Sequence, residues 1–197
     1  SADIPGFDEC EDEPAFYVTV EGTLAGLIEV PSGGSGSPLT FALGTEAIAF
    51  SDNGETDEGW TVSGTATNGH WERGVPVNGN RGDPPTDSDG SGQCWLTQND
   101  LGPLNDGNSD LDGGVTILTS AVIDATGGGT LSYAYWLNDI PNGELNADEM
   151  TVEIATNAAG DNWATMRTYT TALGAWRNDS FGVPDTATLR LRVSVSD

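Results

Sequence analysis

The stretch "LRLRVSV", residues 189–195, alternates aliphatic and polar side chains over seven positions. Successive side chains of an extended strand point to opposite sides, so Leu189, Leu191, Val193 and Val195 share one face. The polar residues that alternate with them, Arg190, Arg192 and Ser194, share the other face. The pattern therefore predicts a β-strand that packs one face on a hydrophobic core and turns the other toward water.

The same alternation occurs twice more upstream, in "LSYAYWL" (131–137) and "MTVEIA" (150–155). Twenty-seven glycines, ten prolines and repeated Asn-Gly and Asp-Gly dipeptides supply tight turns between such strands, and no window keeps a helical period. We therefore predict an all-β chain folded as a β-sandwich. The apolar faces of the two upstream strands are formed by Leu131, Tyr133, Tyr135 and Leu137, and by Met150, Val152 and Ile154.

The first 45 residues differ from the remainder of the chain. "AFYVTVEGTLAGLIEV" (15–30) contains two strand-like runs, and the flexible segment "PSGGSGSP" (31–38) follows them. We predict an N-terminal β arm with a Gly/Ser linker over residues 1–45 and a β-sandwich over residues 46–197. Two strands cannot bury a core of their own, so the arm must dock on the sandwich, pair with another chain, or be the end of a further domain.

The charge of the chain excludes several classes of partner. Thirty-one acidic residues against six basic ones give a formal net charge of −25, which repels nucleic acid and anionic membranes. No apolar run reaches the length of a membrane span, so we expect no membrane insertion. Such an acidic chain is complemented by bound Ca²⁺ or by a salty medium.

Residues that carry catalysis are scarce. His70 is the only histidine, which excludes a zinc site or a mechanism that needs two histidines within this chain. A Ser-His-Asp triad would have to use His70, and no Gly-x-Ser-x-Gly motif accompanies it. Carboxylate pairs are uninformative in a chain with so many acids. We therefore predict that the chain is not an enzyme.

Two loops have the composition of calcium sites, because hard Ca²⁺ takes six to eight oxygen ligands from closely spaced Asp and Asn side chains. Neither loop, "TDSDGSG" (86–92) or "NDGNSDLDGG" (105–114), matches an EF-hand. The alternative is that both are solvated acidic turns. The candidate ligands from spacing are Asp87 and Asp89 in the first loop, and Asp106, Asn108, Asp110 and Asp112 in the second.

Six tryptophans favour a carbohydrate-binding interpretation, since sugar rings stack on exposed aromatic faces. The competing interpretation is that they are core residues, as tryptophans in β-sandwiches commonly are. Two other features stay open: Cys10 and Cys94 can form a disulfide or remain free thiols, and the "RGD" of residues 81–83 is a recognition motif or an incidental turn.

Longer stretches of the chain resemble a known family. "GHWERGVPVNGNRGDPPTDSDGSGQCWLT" (69–97), "NSDLDGGVTILTS" (108–120) and "LSYAYWLND" (131–139) are similar to the MAM-like or carbohydrate-binding-like jelly-roll module of secreted bacterial multidomain proteins, where it lies beside metalloprotease and Ig-like domains. The resemblance covers nearly all of residues 46–197. In addition, "CEDEPAFYVTVEGTLAGLIEVP" (10–31) is similar to the closing strands of an Ig-like domain.

The resemblance implies a jelly-roll sandwich with a structural Ca²⁺. By position it adds Glu55 and Asp148 to the candidate calcium ligands of the Asp106–Asp112 loop. Family members usually carry Phe-Glu where this chain has Gly54-Glu55. Peptidase activity is not implied, because the resemblance does not include a protease domain.

Taken together, these features predict a secreted, extracellular, non-catalytic β-sandwich that serves adhesion or structural assembly and is stabilised by Ca²⁺. The alternative is a glycan-binding accessory module of a secreted hydrolase or protease. For self-assembly, the arm presents Phe16, Val18 and Val20 on one face and can add a strand to a second copy of the chain, which repeats head to tail into a filament. The competing possibility is that the chain is a fragment whose arm folds back on its own domain.

Overall fold

The computed structural model describes residues 15–22, 26–40, 47–77, 82–99, 111–138 and 148–196. The chain divides into two compact units, Ser1–Ile48 and Ala49–Asp197. Cys10, Arg81, Asp106, Asn108 and Asp110 lie outside the described residues. No helix in the described part of the chain is long and apolar enough to cross a membrane.

The first unit is made of short antiparallel strand pairs. Its strands are β1 (Ala15–Phe16), β2 (Val18–Gly22), β3 (Gly26–Val30) and β4 (Leu39–Thr40), and one turn of 3₁₀ helix spans Gly34–Gly36. Strand β2 pairs with β3 as a hairpin, and β1 pairs with β4. The two runs of the sequence "AFYVTVEGTLAGLIEV" thus pair with each other as β2 and β3.

One face of the β2–β3 hairpin consists of aliphatic side chains. Val18 lies opposite Val30 and Val20 lies opposite Ile28 in the register of the hairpin. These four side chains are 50%, 54%, 55% and 49% exposed, in that order. Four neighbouring aliphatic side chains with half of their surface in water form a contiguous apolar patch.

The second unit contains ten strands, and no α-helix occurs among its described residues. The strands are β5 (Thr61–Gly64), β6 (Trp71–Gly74), β7 (Cys94–Thr97), β8 (Val115–Thr119), β9 (Ile123–Ala125), β10 (Gly129–Tyr135), β11 (Glu149–Ala155), β12 (Ala164–Tyr169), β13 (Arg177–Val183) and β14 (Thr186–Ser196).

The main sheet is antiparallel and has the order β12-β11-β14-β8-β5, with β9 paired to the first half of β14. Strand β14, which carries the "LRLRVSV" stretch, is its longest strand and lies between β11 and β8. Leu189, Leu191 and Val195 are buried, as the alternation predicts. On the opposite face, Arg192 forms an ion pair with Glu153 at 2.7 Å.

A second layer packs on this sheet. The β10–β13 pair contributes Phe181, Leu131 and Tyr133 to a core that also holds Val152, Ile154, Leu189 and Leu191 from the main sheet. Val152 is only 1% exposed, and burying a side chain of this size contributes about 1.5–3 kcal/mol. The prediction of an all-β sandwich is therefore confirmed.

A partly exposed polar network connects the two layers. The Tyr133 hydroxyl of β10 lies 2.6 Å from the Tyr169 hydroxyl of β12, and Tyr169 donates to Asp179 of β13 at 2.5 Å. Arg167 donates to the same Asp179 oxygen at 2.9 Å. Burial and the hydrogen bond to Asp179 raise the pKa of Tyr169, while the bond from Tyr169 contributes most to lowering the pKa of Asp179. A neutral tyrosine and an ionised aspartate are thus held between the layers.

Candidate functional site

The 86–92 loop is folded around the buried carboxylate of Asp87. Its Oδ1 accepts a hydrogen bond from the Gly90 N–H at 3.0 Å, and its Oδ2 accepts bonds from the Gly92 N–H at 2.7 Å and the Ser91 hydroxyl at 3.0 Å. Asp89 accepts a bond from the Ser91 N–H at 2.9 Å. Gly90 and Gly92 have positive φ values of 79° and 136°, which non-glycine residues rarely adopt. The glycines therefore let the loop turn tightly on its own aspartates.

A third carboxylate reaches this loop from a distant part of the sequence. Glu55 Oε1 accepts hydrogen bonds from the Gln93 N–H at 2.5 Å and the Ser91 hydroxyl at 3.2 Å, across a separation of 38 residues for the first. Ser91 thus lies between Glu55 and Asp87. Together, Glu55, Asp87 and Asp89 around Ser91 form what we call the carboxylate cluster.

Glycine at position 54 allows Glu55 to approach. A Cβ at Gly54 would lie 2.6 Å from the Gln93 carbonyl oxygen and 2.9 Å from the Cys94 Cα, and the φ of Gly54 is +82°. The Arg73 guanidinium donates to the Gly54 carbonyl at 2.9 Å and fixes the same segment from β6. A side chain at position 54 would therefore clash with the backbone of residues 93 and 94, which accounts for the glycine there.

The carboxylate cluster concentrates negative charge. The Gln93 N–H lowers the pKa of Glu55 most strongly, whereas the neighbouring charge of Asp89 acts to raise it. The Ser91 hydroxyl and then the Ser91 N–H lower the pKa of Asp89. Burial raises the pKa of the Cys94 thiol to about 11, and the charges of Asp87, Asp83 and Asp89 add to that effect. The ionised forms of Glu55 and Asp89 are therefore favoured, and the Cys94 thiol is protonated at neutral pH.

The predicted calcium ligands that the structure describes are not all in one place. Glu55, which the resemblance grouped with the 106–112 loop, lies with Asp87 and Asp89 in the carboxylate cluster. Asp112 instead meets residues 67 and 68: its carbonyl oxygen accepts the Thr67 N–H at 2.8 Å, and its carboxylate accepts the Asn68 amide at 3.4 Å. Asp148 directly precedes β11, and the remaining predicted ligands, Asp106, Asn108 and Asp110, lie outside the described residues.

Within the described ranges, no set of three or more His, Cys, Asp or Glu side chains is already arranged at metal-ligand spacing. The carboxylate cluster instead accepts hydrogen bonds from N–H and hydroxyl donors. Carboxylate oxygens are nevertheless the donor type that Ca²⁺ prefers, and Glu55 and Asp89 are partly or largely accessible. The Ca²⁺ assignment therefore stays a prediction.

A shallow groove lies on another part of the second unit, at one end of the β6–β7 pair. Its volume is about 370 Å³, and it is lined by Thr67, Asn68, His70, Trp71, Glu72 and Gln98. Gln98 has a φ of +61°, the only positive φ of a non-glycine residue in the described chain. No local sequence pattern predicts this groove. It forms where residues 67–72 meet Gln98, whose left-handed backbone conformation is not encoded by a local pattern.

None of the six tryptophans is fully buried, and none is classed as exposed. Trp60 packs on Trp95 with ring centroids 6.3 Å apart, and Trp163 lies under the Arg192 guanidinium at 4.3 Å. Trp136 and Trp176 meet edge to face at 5.9 Å. Trp71 borders the groove. Most tryptophans thus have structural contacts, and one is left at a concave surface.

Two tryptophans hold the loop that contains the "RGD" sequence. The Trp136 indole N–H and the Asn138 amide both donate to the Gly82 carbonyl, at 2.8 and 2.9 Å. The Trp176 indole N–H donates to the Thr86 carbonyl at 2.9 Å. Cys94 forms no disulfide with any residue that the structure describes. Because Arg81 and Cys10 lie outside the described residues, the RGD motif and the disulfide stay open.

Comparisons with known proteins give little further information. No family model matches the chain, and no curated protein matches it. Among solved structures, the chain is similar to the K1 cleaved adhesin domain of Lys-gingipain (Kgp) from Porphyromonas gingivalis W83. The identity is 15%, the match covers 70% of this chain and 85% of that domain, and the TM-score is 0.41. A likeness at this TM-score and identity does not establish a family or a function. The resemblance to a MAM-like module therefore also stays a prediction.

Proposed function

We propose that the chain is a non-catalytic extracellular β-sandwich that serves adhesion or structural assembly, and that Ca²⁺ bound at the carboxylate cluster stabilises it. The observation that carries this proposal is the convergence of Glu55 on the 86–92 loop through Ser91 and Gln93. This convergence brings together two segments that are distant in sequence, and each segment contributes carboxylate groups. A cation between them would stabilise the folded state of a protein with this excess of acids.

The charge balance of the cluster supports a cation. Ser91 has one hydroxyl hydrogen, yet its oxygen lies within hydrogen-bond distance of both Asp87 Oδ2 and Glu55 Oε1. One hydrogen cannot serve both carboxylates fully. A Ca²⁺ ion that replaced this shared hydrogen bond would neutralise charge on both sides and offset the repulsion between Glu55 and Asp89.

The non-catalytic part of the proposal is supported by how the reactive residue types are used. His70, the only histidine, has an exposed side chain on the rim of a shallow groove. The Tyr133–Tyr169–Asp179–Arg167 network has its donors and acceptors directed at one another between the two layers. These arrangements contribute to the stability of the fold, and within the ranges that the structure describes they leave no catalytic group activated by a neighbour.

Assembly is supported by the apolar patch of the β2–β3 hairpin. A second copy of the chain is the partner we propose, because two such patches can cover each other and remove their aliphatic side chains from water. A patch of four valine or isoleucine side chains without opposing charge on that face is suited to a contact between identical chains.

Thermal unfolding in defined cations tests the calcium part. Adding CaCl₂ to the EGTA-treated protein at constant ionic strength should raise the melting temperature, because a ligand bound by the native state alone stabilises it by about 2.7 kcal/mol at a hundred times its Kd. MgCl₂ should have a smaller effect, since Mg²⁺ requires stricter geometry and loses its water reluctantly.

Matched variants locate the effect in the cluster. The double variant Glu55→Gln, Asp89→Asn should lose the response to Ca²⁺. Asp124→Asn should keep it, because Asp124 is an exposed acid bonded locally to Thr126 and lies outside the cluster. An identical melting temperature in EGTA and in CaCl₂, or a response that survives in the double variant, would refute the assignment.

A further inference from the structure

We propose that the groove beside Trp71 binds an uncharged saccharide residue. This inference deepens the proposed adhesive function and rests on it, because it names the class of ligand to which the module adheres. The groove residues Thr67, Asn68, His70, Trp71, Glu72 and Gln98 are separate from the carboxylate cluster. Its volume of about 370 Å³ is within the range of roughly 300–1,000 Å³ usual for small-molecule sites.

Trp71 supplies an apolar wall to the groove. Its indole nitrogen is buried and has no hydrogen-bond partner among the described residues, so the side-chain surface that remains accessible is carbon. The ring also packs against the buried cluster of Ala66, Leu111, Leu137, Met150 and Val195, which holds it in place. A fixed aromatic surface of this kind stacks on the C–H face of a sugar ring with little loss of side-chain entropy.

Gln98 is positioned to donate hydrogen bonds. Its backbone N–H donates to the His70 carbonyl at 3.0 Å, and its side-chain oxygen accepts the Gly69 N–H at 2.8 Å. The amide nitrogen therefore faces no competing acceptor in the described structure. Left-handed conformations of non-glycine residues persist only where several contacts impose them, and they concentrate at binding sites. Here the two contacts fix the amide before any ligand arrives.

Glu72 and Asn68 supply acceptors. One oxygen of Glu72 accepts the Asn99 N–H, which leaves the second oxygen available. Asn68 donates its amide N–H to Asp112 at 3.4 Å, and its own amide oxygen remains available. A sugar hydroxyl both donates and accepts, so it is matched by a wall that offers an amide donor and oxygen acceptors side by side.

The charge of the groove selects against other ligands. Its described lining residues include no lysine or arginine, and Glu72 with the nearby Asp112 makes the local potential negative within a chain of net charge −25. An anionic ligand would be repelled. A metal ion is not favoured either, because the lining that the structure describes holds one carboxylate and Ca²⁺ needs six to eight oxygens. An uncharged polyhydroxylated ligand remains.

Affinity electrophoresis with immobilised polysaccharides tests the proposal on the full chain in CaCl₂. The probes are mannan, xylan and mixed-linkage β-glucan, with polygalacturonate as the anionic comparison. At least one uncharged polysaccharide should retard the protein, and polygalacturonate should not. Trp71→Ala and Gln98→Ala should each weaken the retardation by roughly tenfold, as expected for a lost stacking or hydrogen-bonding partner.

Trp163→Ala is the control for loss of a partly exposed tryptophan, because Trp163 contacts Arg192 and not the groove. Gln98→Glu keeps the side-chain oxygen that accepts the Gly69 N–H and removes the amide donor. This variant tests the groove if Trp71→Ala does not fold. Retardation by no uncharged polysaccharide, retardation by polygalacturonate alone, or undiminished binding of folded Gln98→Glu and Trp71→Ala would overturn the proposal. The calcium response and self-association are measured in separate experiments. If saccharide binding is absent while these two properties are present, the groove proposal is wrong and the proposed function is not.

Discussion

The backbone N–H of Gln93 donates to the carboxylate of Glu55 at 2.5 Å, although 38 residues separate the two in sequence. The bond crosses from the segment before β5 to the residue before β7. Because Gly54 lies directly against the backbone of Gln93 and Cys94, the bond depends on close approach of two chain segments. The stability of the second unit should respond to changes on either side of this contact.

Gly54→Ala should be strongly destabilising. The added Cβ would meet backbone atoms of Gln93 and Cys94 at 2.6 and 2.9 Å, and alanine at a φ of +82° adds a conformational cost of about 1–2 kcal/mol. Gly90→Ala is the matched control, because Gly90 has a φ of +79° but no atom within 4 Å of the added Cβ. Urea unfolding should show a larger loss for Gly54→Ala. Equal losses of unfolding free energy would mean that backbone strain alone destabilises both variants and that the close contact at position 54 has no effect.

The stabilising effect of Glu55 should depend on pH. Its pKa is lowered from 4.5 in the folded chain, chiefly by the Gln93 N–H, so the folded state favours the ionised form. A lowered folded pKa gives stability that is present above the unfolded pKa and is lost as pH falls through the folded pKa. In EGTA, the difference in unfolding free energy between wild type and Glu55→Gln should therefore be larger at pH 7 than at pH 3. A difference that is independent of pH would exclude this role.

Removal of the Tyr169 hydroxyl should weaken the contact between the two layers. Tyr169→Phe deletes the bond to Asp179 and the contact with Tyr133, and such bonds contribute about 1 kcal/mol each, more when one partner is charged. We expect a loss of roughly 1–3 kcal/mol in urea unfolding.

Tyr135→Phe is the control for the Tyr169 experiment. Tyr135 stacks on Tyr169 with centroids 4.2 Å apart, and its hydroxyl makes no hydrogen bond within the described structure. This change should alter stability by less than about 0.5 kcal/mol. If both variants behave alike, ring packing and not the hydroxyl network connects the layers.

The strands of the sandwich could be predicted from sequence because their alternation is a local property. Each of β10, β11 and β14 carries its own apolar face, and the structure buries residues such as Val152 and Leu189 as expected. The position of Glu55 beside Ser91 was not predicted, because the resemblance grouped Glu55 with the 106–112 loop and no local pattern encodes a contact between two loops. The tyrosine network was missed for a related reason. The alternation in sequence predicts that Tyr133 is a core residue. The partner of its hydroxyl group, Tyr169, depends on how the two layers pack.

The apolar patch on the β2–β3 hairpin leads to the last prediction. If Val18, Val20, Ile28 and Val30 associate with a second copy, the chain should form dimers or larger species whose population rises with concentration. Val20→Asp should reduce association, because it places a charge on the patch and the contact would have to remove that charge from water. Thr19→Asp is the control: Thr19 is exposed on the opposite face of the same strand, where it pairs with Glu29, and the substitution adds the same charge. Sedimentation velocity over a hundredfold concentration range should show association of the wild type and of Thr19→Asp but not of Val20→Asp. A wild-type chain that stays monomeric throughout, or equal effects of the two substitutions, would eliminate assembly through this patch.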